Sequence, residues 1–210
     1  MSHPVPATLH RVAAAAGFGS AAVLLVNAAK RAEVIPTSPF TQLVAPVAEI
    51  LALALVTALY LASGRRAGTF GLVAFLLNAF ALSALVGVEF VINLVFHDVP
   101  ASTVQALLSG PLGVAVTVTS LLFLIGTLSF VATMLKGGEV PRAALVLYAL
   151  GAIPISLRAF VPEAALDLGL VVLAAGITWL STWLFTQAAR IDTWTPANAL
   201  GPAVAQRVGA

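Results

Sequence analysis

The stretch FGLVAFLLNAFALSALVGVEFVINLVF, residues 70–96, decides the fold class of this chain. It contains 27 residues, of which only Glu89 is charged. About 20 apolar residues are enough for a helix to cross the hydrocarbon core of a membrane. A membrane-spanning strand would instead alternate apolar and polar residues over about ten positions, and that alternation is missing here. The segment therefore predicts a transmembrane helix.

The rest of the chain has the same character. Hydrophobic residues make up 60% of the 210 residues and charged residues 9%, and the mean hydropathy is +1.06. A soluble domain has about 25% charged residues. We therefore predict an all-α, polytopic transmembrane helical bundle that forms one integral-membrane domain over residues 1–210. Its six predicted spans are residues 12–29, 43–62, 70–96, 111–135, 143–159 and 164–188.

The basic residues predict the orientation of the bundle, because cytoplasmic loops are enriched in lysine and arginine. Seven lie on the amino-terminal side of a six-span bundle, namely Arg11, Arg65, Arg66, Lys136, Arg142, Arg190 and Arg207. Three lie on the opposite side, namely Lys30, Arg31 and Arg158. This bias predicts that both termini are cytoplasmic and that the loop at 98–109 is outside.

The first span has a second interpretation. Arg11 followed by the apolar residues of 11–29 is also typical of a cleaved signal peptide;. The apolar core is long for a signal peptide, however, and Ala13, Gly17 and Ala21 form a ridge of small residues suited to close helix packing;. We therefore expect a retained span.

Four polar residues share one face of the predicted third helix. At ~100° per residue, Glu89, Asn93 and His97 lie at roughly 20°, 60° and 100° from Asn78. Ionisable side chains inside a membrane normally face the interior of a bundle, since lipid cannot solvate them. We expect this row to point into the bundle.

Further polar residues are predicted at the same depth. At ~1.5 Å per residue, Glu89 lies about 10 Å and Glu49 about 9 Å below the outer ends of their helices. Asn27 ends the first span on that side, and Arg158 and Glu163 flank the outer turn after the fifth. We expect the two carboxyl groups of Glu49 and Glu89 to approach each other, with one of them protonated unless a cation compensates. Arg158 should be compensated by a carboxylate, and Glu163 is the nearest in sequence.

This polar cluster has a structural and a functional interpretation. In the structural one, Glu49 and Glu89 are protonated or paired with Arg158 and only hold the helices together. In the functional one, the cluster binds an ion, a proton or a small polar ligand. Its candidate residues are Glu49, Glu89, Asn93, His97, Arg158, Asn78 and Asn27. His97, beside Asp98 at the membrane surface, is more often an interfacial residue than a ligand.

Several functional classes are excluded or disfavoured by the residues present. Without cysteine, the chain has no thiolate nucleophile, disulfide exchange or iron–sulfur ligation;. A bis-histidine haem is disfavoured because His3 and His10 lie opposite His97, and a retinal Schiff base because Lys30 and Lys136 lie at span ends;. The sequence signatures of P-loop ATPases, serine hydrolases and zincins are missing, and no basic run indicates nucleic-acid binding.

The segment GTLSFVATMLKGGEVPRAALVLYALGAIP, residues 126–154, resembles a family of small, uncharacterised multi-pass membrane proteins of bacteria. The resemblance is specific around residues 137–142, a Gly-Gly-x-x-Pro-Arg turn between the fourth and fifth spans. It implies a protein of the bacterial plasma (inner) membrane with about six helices. It brings no catalytic residues.

We therefore expect a non-enzymatic membrane protein without a cofactor. Its predicted role is to bind or translocate a small solute or ion through a polar pocket in the outer half of the bundle. One alternative is a scaffold subunit that contacts lipid and either its own copies or another membrane protein. A second alternative is an intramembrane metalloenzyme that uses Glu49, Glu89 and His97, with the metal left open.

Overall fold

Helices form almost all of the described chain. The computed structural model describes residues 6–63 and 67–193, with side chains up to residue 189. No strand occurs in these ranges, which confirms the predicted all-α class. The helices are α1 (Ala7–Arg31), α2 (Pro39–Val44), α3 (Val47–Ala62), α4 (Gly68–Phe90), α5 (Ala101–Leu108), α6 (Pro111–Gly137), α7 (Arg142–Ser156) and α8 (Glu163–Thr193).

Within the described residues, five helical segments are long and apolar enough to cross a membrane. They are Ala7–Arg31, Pro39–Ala62, Gly68–Val95, Pro111–Gly137 and Glu163–Ala189. The protein is therefore a membrane protein. The helix α7 is also apolar but has only 15 residues, and it ends at Ser156 rather than at the predicted residue 159.

Six helices form a closed ring. Along the ring, α8 contacts α1, then come α3, α4, α6 and α7, and α7 returns to α8. Neighbours in this order run antiparallel, because short connections join successive helices. One end of the ring, where α1, α4 and α7 end and α3 and α8 begin, is called the polar end below. The assignment of the polar end to the outside stays a prediction. Of the basic residues behind that prediction, Arg65, Arg66 and Arg207 lie outside the described residues, as does the side chain of Arg190; His3 of the haem argument is outside them too.

Glycines allow the closest helix contacts. A Cβ on Gly176 of α8 would lie 2.6 Å from the backbone nitrogen of Tyr148 in α7. A Cβ on Gly151 of α7 would collide with the backbone of Leu173 in α8. Because both contacts are to backbone atoms, neither can be relieved by moving a side chain. The α7–α8 interface therefore requires glycine at both positions.

The small-residue ridge of α1 is packed as the sequence predicts. Ala13, Gly17 and Ala21 are all buried. A Cβ on Gly17 would collide with the hydroxyl of Ser181 in α8 and would lie 3.0 Å from a methyl group of Leu55 in α3. The ridge therefore fits α1 between these two neighbours.

The structure differs from the prediction within one span and in one connection. The predicted span 43–62 is two helices, because α2 ends at Val44 and α3 begins only at Val47. Pro46 at this break has no N–H to donate and so cannot continue a helical hydrogen-bond ladder. The connection predicted after the third span contains the exposed helix α5, whose apolar residues are too few to give a span signal.

Candidate functional site at the polar end

A cavity of about 110 Å³ lies inside the ring and reaches the polar end. Its polar lining residues are Ser20, Asn27, Lys30, Arg31, Glu49, Glu89, Asn93, Tyr148 and Arg158. The rest of the lining is alanine, leucine, isoleucine and one phenylalanine, Phe123. Four helices and the turn after α7 contribute the polar groups, so the cavity depends on the ring as a whole.

Glu89 is the centre of a network of four side chains, which we call the Glu89 network. Lys30 donates a hydrogen bond of 2.7 Å from Nζ to Oδ1 of Asn93. Asn93 donates in turn from Nδ2 to Oε2 of Glu89, at 2.9 Å. On the other side of the carboxylate, Nη1 of Arg158 lies 3.8 Å from Oε1 of Glu89. One carboxylate thus faces two cations, one directly and one through an amide.

Arg31 forms a separate network with the start of α8. Its Nε donates to Oδ1 of Asp167 at 3.1 Å, and its guanidinium also pairs with Glu163. Glu163 and Asp167 are four residues apart and so lie on the same face of α8. The structure therefore places Arg158 against Glu89, and it gives Glu163, the carboxylate nearest to Arg158 in sequence, to Arg31.

Glu49 lies in the first turn of α3, where the helix dipole favours a negative charge;. Its side chain lines the cavity, and its Oε2 atom is buried without a hydrogen-bond partner among the described residues. Glu89 lines the same cavity. The structure thus brings the two carboxyl groups to one cavity. The carboxylate of Glu89 has hydrogen-bonding and ionic partners, whereas Oε2 of Glu49 has no hydrogen-bond partner among the described residues.

Asn27 also lines the cavity with an unsatisfied atom. Its Oδ1 is buried and has no hydrogen-bond partner among the described side chains and backbone. Ser20, two turns earlier on the same face of α1, donates from its hydroxyl to the backbone oxygen of Ala48 at 2.8 Å. The cavity therefore presents unpaired acceptor oxygens on Asn27 and Glu49, and the hydroxyl of Tyr148 is a third lining group without a hydrogen-bond partner among the described residues.

Asn78 is not part of the cavity lining. It is fully buried between α4 and α6, where Thr127 donates a hydrogen bond of 3.1 Å to its Oδ1. The hydroxyl of Tyr148, a lining residue, faces Asn78 and Thr127 from α7. These three side chains form a polar layer that adjoins the cavity.

His97 is also outside the lining, although the sequence places it in the same row as Glu89 and Asn93. The reason is a π-helical turn at Val91–Val95 that continues α4. In this turn the N–H of Phe96 bonds to the oxygen of Val91, five residues earlier. The wider turn changes the angular phase of the residues beyond it, and His97 lies exposed after the turn;.

Lys30 and Arg31 are lining residues whose positions in the sequence predicted only the orientation of the bundle. They stand three and four residues after Asn27, so all three lie on one face of α1;. That spacing is the signal that could have assigned them to the cavity. Because Lys30 contacts Asn93 and Arg31 contacts Asp167, α1 is connected to both α4 and α8.

Glu49, Glu89 and His97 do not form a metal site. Among the described residues, no group of three or more histidine, aspartate or glutamate side chains is arranged to hold a metal ion. Comparison with protein-family models, curated proteins and solved structures finds no match to this chain. The cavity therefore has to be interpreted from its own chemistry. That chemistry is a carboxyl group with an open oxygen, an open amide oxygen and a mostly apolar wall.

Proposed function

We propose that this protein binds a small polar solute or ion in the cavity at the polar end and acts in the plasma membrane of a bacterium. The observation that supports this most directly is Glu49. A purely structural carboxyl group inside a membrane would have its oxygens paired with neighbouring side chains, as those of Glu89 are;. Oε2 of Glu49 instead is open on a cavity.

The shape of the cavity favours solute binding over a scaffold role. A protein that used its polar groups only to fix helix positions would pack them without space between them. Here the space is about 110 Å³. At ~15 Å³ per water-sized site, this is room for roughly seven water molecules.

Translocation would require a second conformation. Among the described residues, fully buried apolar side chains such as Phe130, Met134 and Leu59 lie on the far side of the polar layer of Asn78, Thr127 and Tyr148. Exchange across the membrane would need these residues to separate.

Cysteine labelling tests whether the cavity is open to water, because the native chain has no cysteine. Ala52 lines the cavity, whereas Ala58 lies on the same helix α3, is equally buried and does not line it. We expect a small water-soluble thiol reagent to modify Ala52→Cys at least ten times faster than Ala58→Cys in the folded protein. Equal, slow modification of both would mean a dry core and would contradict solute binding.

A further inference from the structure

Glu49 is the carboxyl group of the cavity that has no ion pair with a cation among the described residues. Lys30 and Arg158 face Glu89, and Arg31 faces the two carboxylates of α8 described above. The three cations are therefore directed at other carboxylates, and Glu49 is left without a positive partner.

The unpaired hydrogen-bonding atoms of the cavity also indicate a positively charged ligand. Oε2 of Glu49 and Oδ1 of Asn27 are buried lining oxygens without partners among the described residues, and both accept hydrogen bonds;. The hydroxyl of Tyr148, a third lining group without a partner, can accept as well as donate;. The cations of the cavity, in contrast, already have partners in the two networks. A ligand that completes the site must therefore bring a positive charge and hydrogen-bond donors.

The apolar composition of the cavity wall favours an organic cation over an inorganic ion. Hard metal ions take about six oxygen ligands, usually with several carboxylates among them, and the described residues hold no group of three histidine, aspartate or glutamate side chains arranged for a metal ion. Most of the wall is apolar, with Leu24, Leu82, Leu85, Phe123 and Ile177 among its residues. An apolar body of about six carbon atoms would remove this surface from water and would fill the space estimated above.

We infer that the ligand is a small amphipathic amine whose ammonium group binds to Glu49 and whose apolar body lies against the leucine and phenylalanine wall. This inference rests on the proposed solute-binding function and names the class of solute. In the empty cavity Glu49 carries a proton, because a buried carboxylate without a partner is strongly disfavoured. When the ammonium ion binds, that proton leaves to water and the O–H bond of Glu49 is replaced by a hydrogen bond from nitrogen. One cation enters and one proton leaves, so the charge of the site is conserved.

The exchange depends on the charges that face Glu49 from each neighbouring element. Glu89 lines the same cavity from α4, Lys30 and Arg31 from α1, and Arg158 from the turn after α7. Tyr148 is the titratable lining residue of α7 itself. Glu163 and Asp167 of α8 are occupied by Arg31. Since the cations at the mouth are already paired, Glu49 is the group whose protonation changes on binding.

Calorimetric titration of the full chain in phosphatidylcholine nanodiscs tests this inference. The probes are hexylammonium chloride, sodium hexanoate and sodium chloride, and the variants are Glu49→Gln and Glu139→Gln. Glu139 is an exposed carboxylate in the turn between α6 and α7, at the other end of the ring. We expect hexylammonium to bind the wild type and Glu139→Gln equally, and Glu49→Gln at least tenfold more weakly. Repeating the titration in buffers of different ionisation enthalpy should show release of about one proton per bound amine at a pH where free Glu49 is protonated.

Other outcomes contradict the inference in distinguishable ways. Equal hexylammonium binding to the wild type and Glu49→Gln would mean partition into lipid. Binding of hexanoate, or of sodium in place of hexylammonium, would assign another ligand class to the same cavity and leave the proposed function standing. If no probe binds while Ala52→Cys is still modified from water, the amine assignment fails alone. If Ala52→Cys is also unreactive, the solute-binding function fails with it.

Discussion

Glu33 is the one residue other than glycine with a left-handed backbone conformation in the described chain, with φ of 58°. It follows the end of α1, where the N–H of Val34 bonds to the oxygen of Ala29 at 2.9 Å and the N–H of Glu33 to that of Lys30 at 3.2 Å. Helix ends with this pair of hydrogen bonds usually have glycine at the left-handed position, since a Cβ there costs about 1–2 kcal/mol. The end of α1 thus keeps a strained residue next to Lys30 of the cavity.

Replacing Glu33 with glycine should therefore stabilise the protein by about 1 kcal/mol. The measurement is the free energy of unfolding in mixed micelles. Glu33→Ala is the matched control, because it also removes the carboxylate but keeps the Cβ, and it should give less than half the gain. Equal stabilisation by both variants would assign the effect to the charge instead of the backbone.

Arg158 and Glu89 form a contact that the sequence does not specify, because Glu163 is closer to Arg158 along the chain. The two side chains are 32% and 22% exposed, so solvent screens their attraction;. A double-mutant cycle with Arg158→Gln and Glu89→Gln should give a coupling energy of roughly 0.5–1 kcal/mol. The control cycle of Arg158→Gln with Glu163→Gln should give none. Coupling only in the second cycle would overturn the observed pairing.

At the scale of elements, the α7–α8 interface gives the sharpest prediction. Gly176→Ala places a methyl group against the backbone of Tyr148, and helices forced apart in this way lose about 1–3 kcal/mol;. Gly87→Ala is the matched control, since Gly87 is also helical and a Cβ there meets nothing within 4 Å. We expect the thermal unfolding temperature to fall in Gly176→Ala and to stay the same or rise in Gly87→Ala. A similar fall in both variants would contradict the collision with Tyr148 as its cause.

The helices and their connections show which structural features the sequence patterns predict and which they miss. Long apolar runs predict the spans well, because the bilayer requires both length and uniform hydrophobicity. The break at Pro46 and the helix α5 are smaller than the window over which such runs are recognised. The π-helical turn has no comparable signal, so extrapolating ~100° per residue past Phe90 places His97 on the wrong face. The row and depth arguments correctly bring Glu49 and Glu89 to one cavity, together with Asn93, which lies within the turn itself.

Lys30 and Arg31 show that the sequence does not predict the direction of basic side chains at the end of a span. A basic residue at the end of a span satisfies the charge rule for loops whether its side chain points to water or into the bundle. Only the position of the neighbouring helices decides this, and here Asn93 and Asp167 draw both side chains inward. The sequence therefore predicts which end is polar more readily than which cations line the cavity.

For the whole molecule, the orientation in the membrane is the prediction to test. Ser102 lies exposed on α5 at the polar end, and Gly137 lies exposed at the last residue of α6, at the other end. Ser102→Cys should react with a membrane-impermeant thiol reagent added to intact cells, and Gly137→Cys only after the membrane is opened. The reverse pattern would invert the predicted topology and place the cavity on the cytoplasmic side.

The short helix α7 has a consequence for the lipid around the protein. Its 15 residues span about 22 Å at ~1.5 Å per residue, roughly 8 Å less than a typical hydrocarbon core;. The turn beyond it carries Arg158 and the 85% exposed Phe160, and an irregular backbone of this kind does not lie in fluid acyl chains;. We therefore predict a local hydrophobic mismatch, with the bilayer thinned on this side of the ring. We expect the thermal unfolding temperature to be higher in lipids with 14-carbon chains than in lipids with 20-carbon chains, and the opposite order would contradict this. Acyl-chain length would then control how deeply headgroups and water reach toward the cavity.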